Sequence, residues 1–386
     1  MGRFRDALAT PGLAAIAEVK RRSPSAGDLR PGADPARLAA QFGNAGAAAV
    51  SILVDERFGG SLDDLKAARA ATTAPLLAKG FFTEELDLLK AKVAGADAAL
   101  ILLRDVDDQR AAALMSYARE LGLETLVEAH DAVELQRAVG LEAEVIGVNA
   151  RDLSTFEIDR PAQLSLIARM RAHEVVIVAE SGVQSRAQGA AAELAGADAI
   201  LVGSALMRAG DPAARLREIL SRPLVKVCGL TRREDVDAAV EAGADMLGFI
   251  LAEESPRRAR EVLTVPEDRL SVAVFVGEVE DSEADLVQLY AREHGRVRGR
   301  DAVLLRDGET VAQVVDLPWD EPDPLHFQRA TVAKGRVMLA GRLGPDNVRE
   351  AVRAVRPWAV DAASQLEAKP GIKDHAKVRA FVKAAR

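Results

Sequence analysis

One short pattern constrains this chain more than any other: a helix stop followed at once by an apolar run, four times over. It reads Asn44-Ala45-Gly46-Ala47 before Val50-Ser51-Ile52-Leu53, and Ala94-Gly95-Ala96-Asp97 before Ala98-Ala99-Leu100-Ile101-Leu102-Leu103. It returns as Ala195-Gly196-Ala197-Asp198 before Ala199-Ile200-Leu201-Val202, and as Ala242-Gly243-Ala244-Asp245 before Met246-Leu247-Gly248-Phe249-Ile250. Each copy follows an Ala-rich helical segment. The glycine suits the left-handed conformation that ends a helix. The apolar run suits a parallel strand buried on both faces. Helix, stop and strand make the joint of a βα repeat.

Read between such joints, the first half holds eight strands, near 14–20, 47–54, 75–79, 97–103, 123–128, 144–149, 174–179 and 198–203. Amphipathic helical segments separate them. Eight βα units can close into a barrel or spread into a doubly wound sheet, and the polar residues decide. Lys20, Lys79, Glu128, Asn149, Glu180 and Gly203-Ser204 sit at the C-terminal ends of six different strands. A barrel gathers all its strand ends around one mouth, whereas an open sheet focuses ligands at one switch point. No Gly-x-Gly-x-x-Gly follows the first strand, which argues against a dinucleotide fold. The expectation is α/β, with a (βα)8 barrel over residues 1–222.

A break falls at Ser221-Arg222-Pro223, and the repeat restarts at Leu224-Val225-Lys226-Val227-Cys228. Further strands read near 245–251, 271–276, 285–289, 311–316, 336–340 and 357–361. Asp307-Gly308 between the apolar runs of 303–315 signals a β-hairpin where a regular barrel has a helix. The second domain, 223–386, therefore reads as a barrel that is modified or incomplete near 301–316.

Bulk properties narrow the class. Aromatic residues are only 4% of the chain, so the cores must be built from Ala, Val, Leu and Ile. The net charge of −8 disfavours a nucleic-acid partner while leaving room for local basic pockets. One cysteine, Cys228, excludes an intramolecular disulfide. No apolar run approaches the roughly 20 residues of a membrane span, and the N-terminus lacks the apolar core of a signal peptide. The scattered histidines suggest no metal. A cytoplasmic protein without a cofactor is expected, and a monomer with two docked barrels is compatible with this reading.

The chemistry concentrates where the first strand ends, in Ala17-Glu18-Val19-Lys20-Arg21-Arg22-Ser23-Pro24-Ser25. Charges closing a buried strand cost desolvation energy unless a ligand or partner uses them. With that run, the segments that carry a family resemblance are Phe58-Gly59-Gly60-Ser61, Leu77-Ala78-Lys79, Leu126-Val127-Glu128-Ala129-His130, Gly147-Val148-Asn149-Ala150-Arg151-Asp152-Leu153, Ala179-Glu180-Ser181-Gly182 and Leu201-Val202-Gly203-Ser204. On these, the first half resembles indole-3-glycerol phosphate synthase. The second half resembles phosphoribosylanthranilate isomerase, through Lys226-Val227-Cys228-Gly229-Leu230-Thr231, Gly248-Phe249-Ile250, Ser255-Pro256-Arg257, Val287-Gln288-Leu289, Leu339-Ala340-Gly341, Ala359-Val360-Asp361 and Pro370-Gly371-Ile372-Lys373-Asp374. The chain is similar to a fusion of two consecutive enzymes of tryptophan synthesis.

For the first half the resemblance implies decarboxylative ring closure of a carboxyphenylamino-deoxyribulose phosphate. Lys79 can protonate the substrate carbonyl and Glu128 can manage the later proton transfers. Lys20 can hold the departing carboxylate or share acid duty, with Glu18 orienting it. Ser23, Phe58, Asn149, Arg151 and Glu180 belong to the same rim. Ser181-Gly182 and Gly203-Ser204 close the last two strands, where barrels commonly bind phosphate. Two departures stand out: Gly80 replaces an Asp after the lysine, and only about a dozen residues precede the first strand.

For the second half the resemblance implies an Amadori rearrangement, with Cys228 as base and Asp316 as acid. A thiol pKa near 8.5 has to fall for that role. Arg257 can bind an acidic part of the substrate, and Asp361 lies on the rim. Here too there are departures. The glycine-rich loop after Asp316 is missing, Arg342 replaces a Gly at the expected phosphate loop, Tyr290 replaces a His, and Ala363 and Gln365 replace a Ser and a Gly. A catalytically dead scaffold and an isomerase accepting a second phosphoribosyl substrate stay open at this level.

Overall fold

The computed structural model describes residues 2–23, 27–152, 155–292, 301–317 and 323–386. Pro24, Ser25 and Leu153, named above, lie outside the described residues, as do Pro318 and the acidic pair Asp320-Glu321 that follow Asp316. The chain separates into two compact units, Met1–Gln184 with Gly189–Leu220, and Ser185–Gln188 with Ser221–Arg386.

In the first unit, eight parallel strands close into a barrel. They are β1 (Ala14–Val19), β2 (Ala49–Leu53), β3 (Leu76–Lys79), β4 (Ala98–Leu102), β5 (Glu124–Ala129), β6 (Val145–Asn149), β7 (Val176–Glu180) and β8 (Ala199–Val202). The expected positions hold to within about two residues at each end. Helices such as Pro35–Asn44 and Asp108–Glu120 connect them.

The joints behave as their sequence requires. Gly46, Gly95, Gly196 and Gly243 take φ of 95°, 101°, 118° and 90°, a region that side-chain-bearing residues rarely enter. The aspartate that follows three of them has its own task. Asp97, Asp198 and Asp245 accept the backbone N–H of Leu76, Ile177 and Val225, each at 2.8 Å. Each N–H belongs to the first or second residue of a neighbouring strand, so the joint sets the level at which that strand enters.

Side chains alternate across a strand, and this places the site. Ala14 and Ile16, Leu77, Leu126, Val176 and Val178, and Ala199 and Leu201 point into the barrel and pack together. Two residues further on, the same inward columns deliver Glu18, Lys79, Glu128, Glu180 and Gly203. The short helix Arg3–Leu8 closes the opposite end, with Phe4 and Leu8 fully buried against the strand starts. Glu124 anchors it, accepting from Phe4 N at 2.6 Å and Arg5 N at 2.9 Å. The residues before the first strand thus plug the barrel floor.

The second unit decides between the two alternatives left open for it. Its barrel is modified but not incomplete: eight strands close it. They are β9 (Leu224–Val227), β10 (Met246–Ile250), β11 (Leu270–Val276), β12 (Leu286–Tyr290), β13 (Asp301–Arg306), β14 (Glu309–Val315), β15 (Val337–Leu339) and β16 (Ala359–Ala362). β13 runs antiparallel to both β12 and β14. The hairpin turn has Asp307 at φ 51° and Gly308 at φ 81°, the two positive values of a tight hairpin turn. A hairpin reverses direction twice within the sheet, so β14 runs parallel to β15 without a crossover helix. Among the described residues, no helix is long and apolar enough to cross a membrane.

Candidate active sites

The mouth of the first barrel is a cavity of about 680 Å³. Glu18, Lys20, Ser23, Phe58, Lys79, Glu128, Asn149, Arg151, Ser181, Gly182, Gly203 and Ser204 all line it. Glu180 lies beneath, with no exposed surface. The structure therefore brings together the first-half residues proposed above for catalysis and binding.

Lys79 is the centre. Its ammonium donates to Glu180, lies 3.5 Å from Glu128 Oε2 and stands 3.8 Å from Glu18 Oε2. Glu18 in turn accepts from Lys20 at 2.8 Å. Three buried carboxylates around one ammonium fix its protonation. Burial alone disfavours the cation, but Glu180, Glu128 and Glu18 outweigh it and hold Lys79 well above the ordinary lysine value. The carboxylates diverge for the same reason. Burial would raise Glu128, yet Lys79, His130 and Asn149 pull it well below the usual range. Glu180 is pushed up by burial and by the charge of Glu128, with Lys79 opposing. Glu18 is lowered, as Lys20 and Lys79 overcome its burial.

Space for these groups comes from two glycines. A Cβ on Gly147 would stand 2.0 Å from Glu180 Oε1, and one on Gly203 would stand 2.6 Å from Glu18 Oε1. Gly80 is crowded as well, since a Cβ there would meet Val54 Cγ2 at 2.9 Å and the Phe82 ring. The aspartate expected at position 80 has no room without a shift of those side chains.

His130 stands out only in the structure. Its Nε2 lies 3.2 Å from Glu128 Oε1 and its Nδ1 lies 3.0 Å from Glu134 Oε2. Burial opposes the imidazolium, but the two carboxylates raise the ring to about 9. Asn149 Nδ2 donates to the same Glu128 oxygen at 2.8 Å. The sequence signal was the acid–x–His–x–x–x–acid spacing from Glu128 to Glu134. An aromatic wall also escaped notice in part. Phe58 stacks on Phe81 with centroids 6.3 Å apart, and the Arg57 guanidinium lies 3.7 Å above the Phe81 ring. Arg208 and Arg215 line the same cavity and add positive charge to it.

The second mouth is smaller, about 300 Å³, and Cys228, Arg257, Asp316, Gly341, Arg342 and Asp361 all line it. Asp316 follows the end of β14 and is buried. Its Oδ2 accepts from Tyr290 Oη at 2.7 Å and its Oδ1 from Leu317 N at 2.7 Å. Arg257 pairs through Nε with Glu367 at 2.9 Å. Arg342 is exposed at the rim and takes φ 56°, a left-handed backbone retained without a glycine.

The thiol departs from expectation. Burial pushes Cys228 up rather than down, with Lys226 and Lys373 opposing and Asp361 adding to the rise. Lys226 is the group the sequence reading passed over. It is fully buried inside the barrel, donating to Gln288 Oε1 at 2.7 Å and to Asp361 Oδ2 at 3.0 Å. It stays charged because Asp361 and Cys228 overcome its burial. A Cβ on Gly248 would meet Cys228 Sγ at 2.8 Å and Lys226 Cε at 2.9 Å, so that glycine makes room for both.

Residues 2–219 match the family model for indole-3-glycerol phosphate synthase, and residues 325–384 match that for N-(5'phosphoribosyl)anthranilate (PRA) isomerase. Indole-3-glycerol phosphate synthase 2 of Streptomyces coelicolor is 46% identical over 218 residues, covering 56% of this chain and 84% of that protein. The multifunctional tryptophan biosynthesis protein of Schizosaccharomyces pombe is 30% identical over 462 residues, covering 99% of this chain. The chain spans 61% of the length of that relative. Among solved structures, the phosphoribosyl anthranilate isomerase of Thermus thermophilus is 28% identical and covers 42% of this chain and 98% of its own, with a TM-score of 0.35.

Proposed function

We propose, for a chain that belongs to the indole-3-glycerol phosphate synthase family through residues 2–219, that it is a bifunctional, cytoplasmic enzyme of tryptophan biosynthesis. The C-terminal barrel isomerises N-(5-phosphoribosyl)anthranilate, and the N-terminal barrel closes the indole ring of the product. The observation that carries this reading is the Lys79 ammonium enclosed by Glu18, Glu128 and Glu180 at the mouth of the family-matching barrel.

In the synthase, the aromatic ring of the substrate rests on the wall of Phe58 and Phe81. Its phosphate takes backbone N–H groups of Ser181, Gly182, Gly203 and Ser204, with Arg208 and Arg215 adding charge. Lys20, steadied by Glu18, holds the carboxylate. As the ring carbon attacks the carbonyl, its oxygen gains negative charge and takes a proton from Lys79. Carbon dioxide then leaves and aromaticity returns. Lys20, released by the departed carboxylate, gives the new hydroxyl a second proton so that it leaves as water, and Glu128 takes the proton from the adjacent carbon. Glu128 suits the base because its neighbours keep it ionised even though it is buried.

In the isomerase, Arg257 meets the anthranilate carboxylate. Asp316 gives a proton to the ribose ring oxygen and opens the ring. Cys228 removes the proton from C2, and the enol then becomes the ketone. The Lys226 ammonium supplies the positive charge that a buried thiolate needs.

The purified chain, given phosphoribosylanthranilate alone, should release indole-3-glycerol phosphate and carbon dioxide. Accumulation of the carboxyphenylamino-deoxyribulose phosphate would show a silent synthase. Recovery of unchanged starting material, with ring closure intact on the intermediate, would show that the second barrel is a scaffold.

A further inference from the structure

The interior of the second barrel carries polar groups at two levels. Lys226, Gln288 and Asp361 belong to the lower one. Cys228 and Tyr290 lie two residues further along the inward columns of β9 and β12, and Asp316 stands just past the end of β14. All six are buried. Interior polar groups are costly unless paired, and four of these are paired in a definite order.

Lys226 Nζ donates to Gln288 Oε1 at 2.7 Å. That fixes the amide, because an ammonium can only donate. The amide nitrogen of Gln288 then donates to Tyr290 Oη at 2.8 Å. The phenol, having accepted there, turns its own proton to Asp316 Oδ2 at 2.7 Å. Every donor points the same way, from the ammonium toward the carboxyl group. No member can reverse alone without leaving a buried polar atom unpaired.

We propose that Lys226, Gln288 and Tyr290 form a one-way hydrogen-bond chain that strengthens Asp316 as the acid of the isomerase, with Tyr290 as its positioning residue. The inference rests on the isomerase reading given above. Donation to Asp316 favours the carboxylate over the carboxylic acid. The bond therefore tightens as Asp316 passes its proton to the ribose ring oxygen, and hydrogen bonds to a charged acceptor are the stronger kind. The stabilisation grows during ring opening and is smaller while substrate merely binds. Its loss should thus appear in kcat rather than KM. Lys226 has a second role at the other end, where it faces Cys228 and Asp361. One buried ammonium thereby serves both partners of the proton transfer.

Two substitutions test this. Tyr290→Phe removes the last donor. Gln288→Glu keeps the shape and still pairs with Lys226, but its new carboxylate competes for the phenol proton and turns the chain around. Each should lower isomerase kcat by about tenfold or more, the scale of one hydrogen bond to a charged group, with KM changed by less than about twofold. The double variant should be no worse than either single one, since both break the same chain. A wild-type kcat in Gln288→Glu, or losses that add in the double variant, would overturn the chain. If Tyr290→Phe does not fold, Gln288→Glu alone decides, because a side chain that only filled space would tolerate this isosteric change. An inactive wild-type isomerase overturns the underlying function and this inference with it, whereas an active wild type with an indifferent Gln288→Glu overturns the inference alone.

Discussion

Lys79 Nζ stands 3.5 Å from Glu128 Oε2, closer to contact than to a well-formed hydrogen bond. The ammonium is committed to Glu180, and Glu128 is held by Asn149 and His130. The proposed acid and base thus face each other while neither neutralises the other. Glu128→Gln keeps the shape and should lower synthase kcat by about 100-fold or more, a usual scale for loss of general acid–base catalysis. Turnover within tenfold of wild type would remove Glu128 from its role.

Lys79→Met should cost more than activity. A rim position alone would leave folding intact, but burial changes that expectation. Without the ammonium, three buried carboxylates lose their shared partner, and breaking such a group destabilises by about 3–5 kcal/mol. Lowering the pH should restore part of the loss, because protonation discharges Glu18 and Glu180. Denaturant melts at two pH values read both effects, and equal losses at both would contradict the arrangement.

The two activities should separate. Cys228→Ser and Asp316→Asn should each abolish isomerisation and leave ring closure near wild type, since these residues line a different barrel from Lys79 and Glu128. Loss of ring closure in either folded variant would argue against two independent sites.

His130 gives stability a pH dependence. Its folded value of about 9 lies above the unfolded value of about 6.5. The stabilisation is fully present below the unfolded value and is lost as pH rises through the folded one. Replacing it by Gln should flatten the fall in unfolding free energy between about pH 6.5 and 9, relative to wild type. Parallel curves for the two proteins would show that His130 is not charged between Glu128 and Glu134.

Arg342 invites a paired test. It holds φ 56° at the rim of the second cavity, a conformation that costs a non-glycine residue about 1 kcal/mol. We expect that cost to be tolerated because the guanidinium can grip phosphate with two charge-assisted hydrogen bonds. Arg342→Gly should therefore raise Tm while raising KM for phosphoribosylanthranilate, and Arg342→Ala should raise KM without the gain in Tm. A KM unchanged in both would leave the arginine without a substrate role.

Much of this was legible in the sequence because the residues obey short-range rules. Buried parallel strands are uninterrupted apolar runs, helix stops need glycine, and Asp307-Gly308 announces a hairpin. Glu18, Lys79, Glu128 and Glu180 were legible because charge at the end of an apolar strand is conspicuous. Lys226 obeys the same logic, yet it lies within β9 rather than at its end, and a search of strand ends passes it by. His130 was hidden because its partners are chosen by a turn into a helix. Closure of the second barrel depends on pairing between β9 and β16, more than a hundred residues apart, which no local pattern encodes. The plug formed by Phe4 and Leu8 escaped because six helical residues carry too little periodicity to declare a face.

The hairpin of β13 and β14 has a practical side. Seven of the eight strands in that barrel run toward the mouth, and β13 alone runs back. Its turn at Asp307-Gly308 therefore emerges at the floor, a strand's length from Cys228 and Asp316. An epitope, a dye or a short peptide grafted between those two residues would decorate the enzyme from below and leave its chemistry undisturbed.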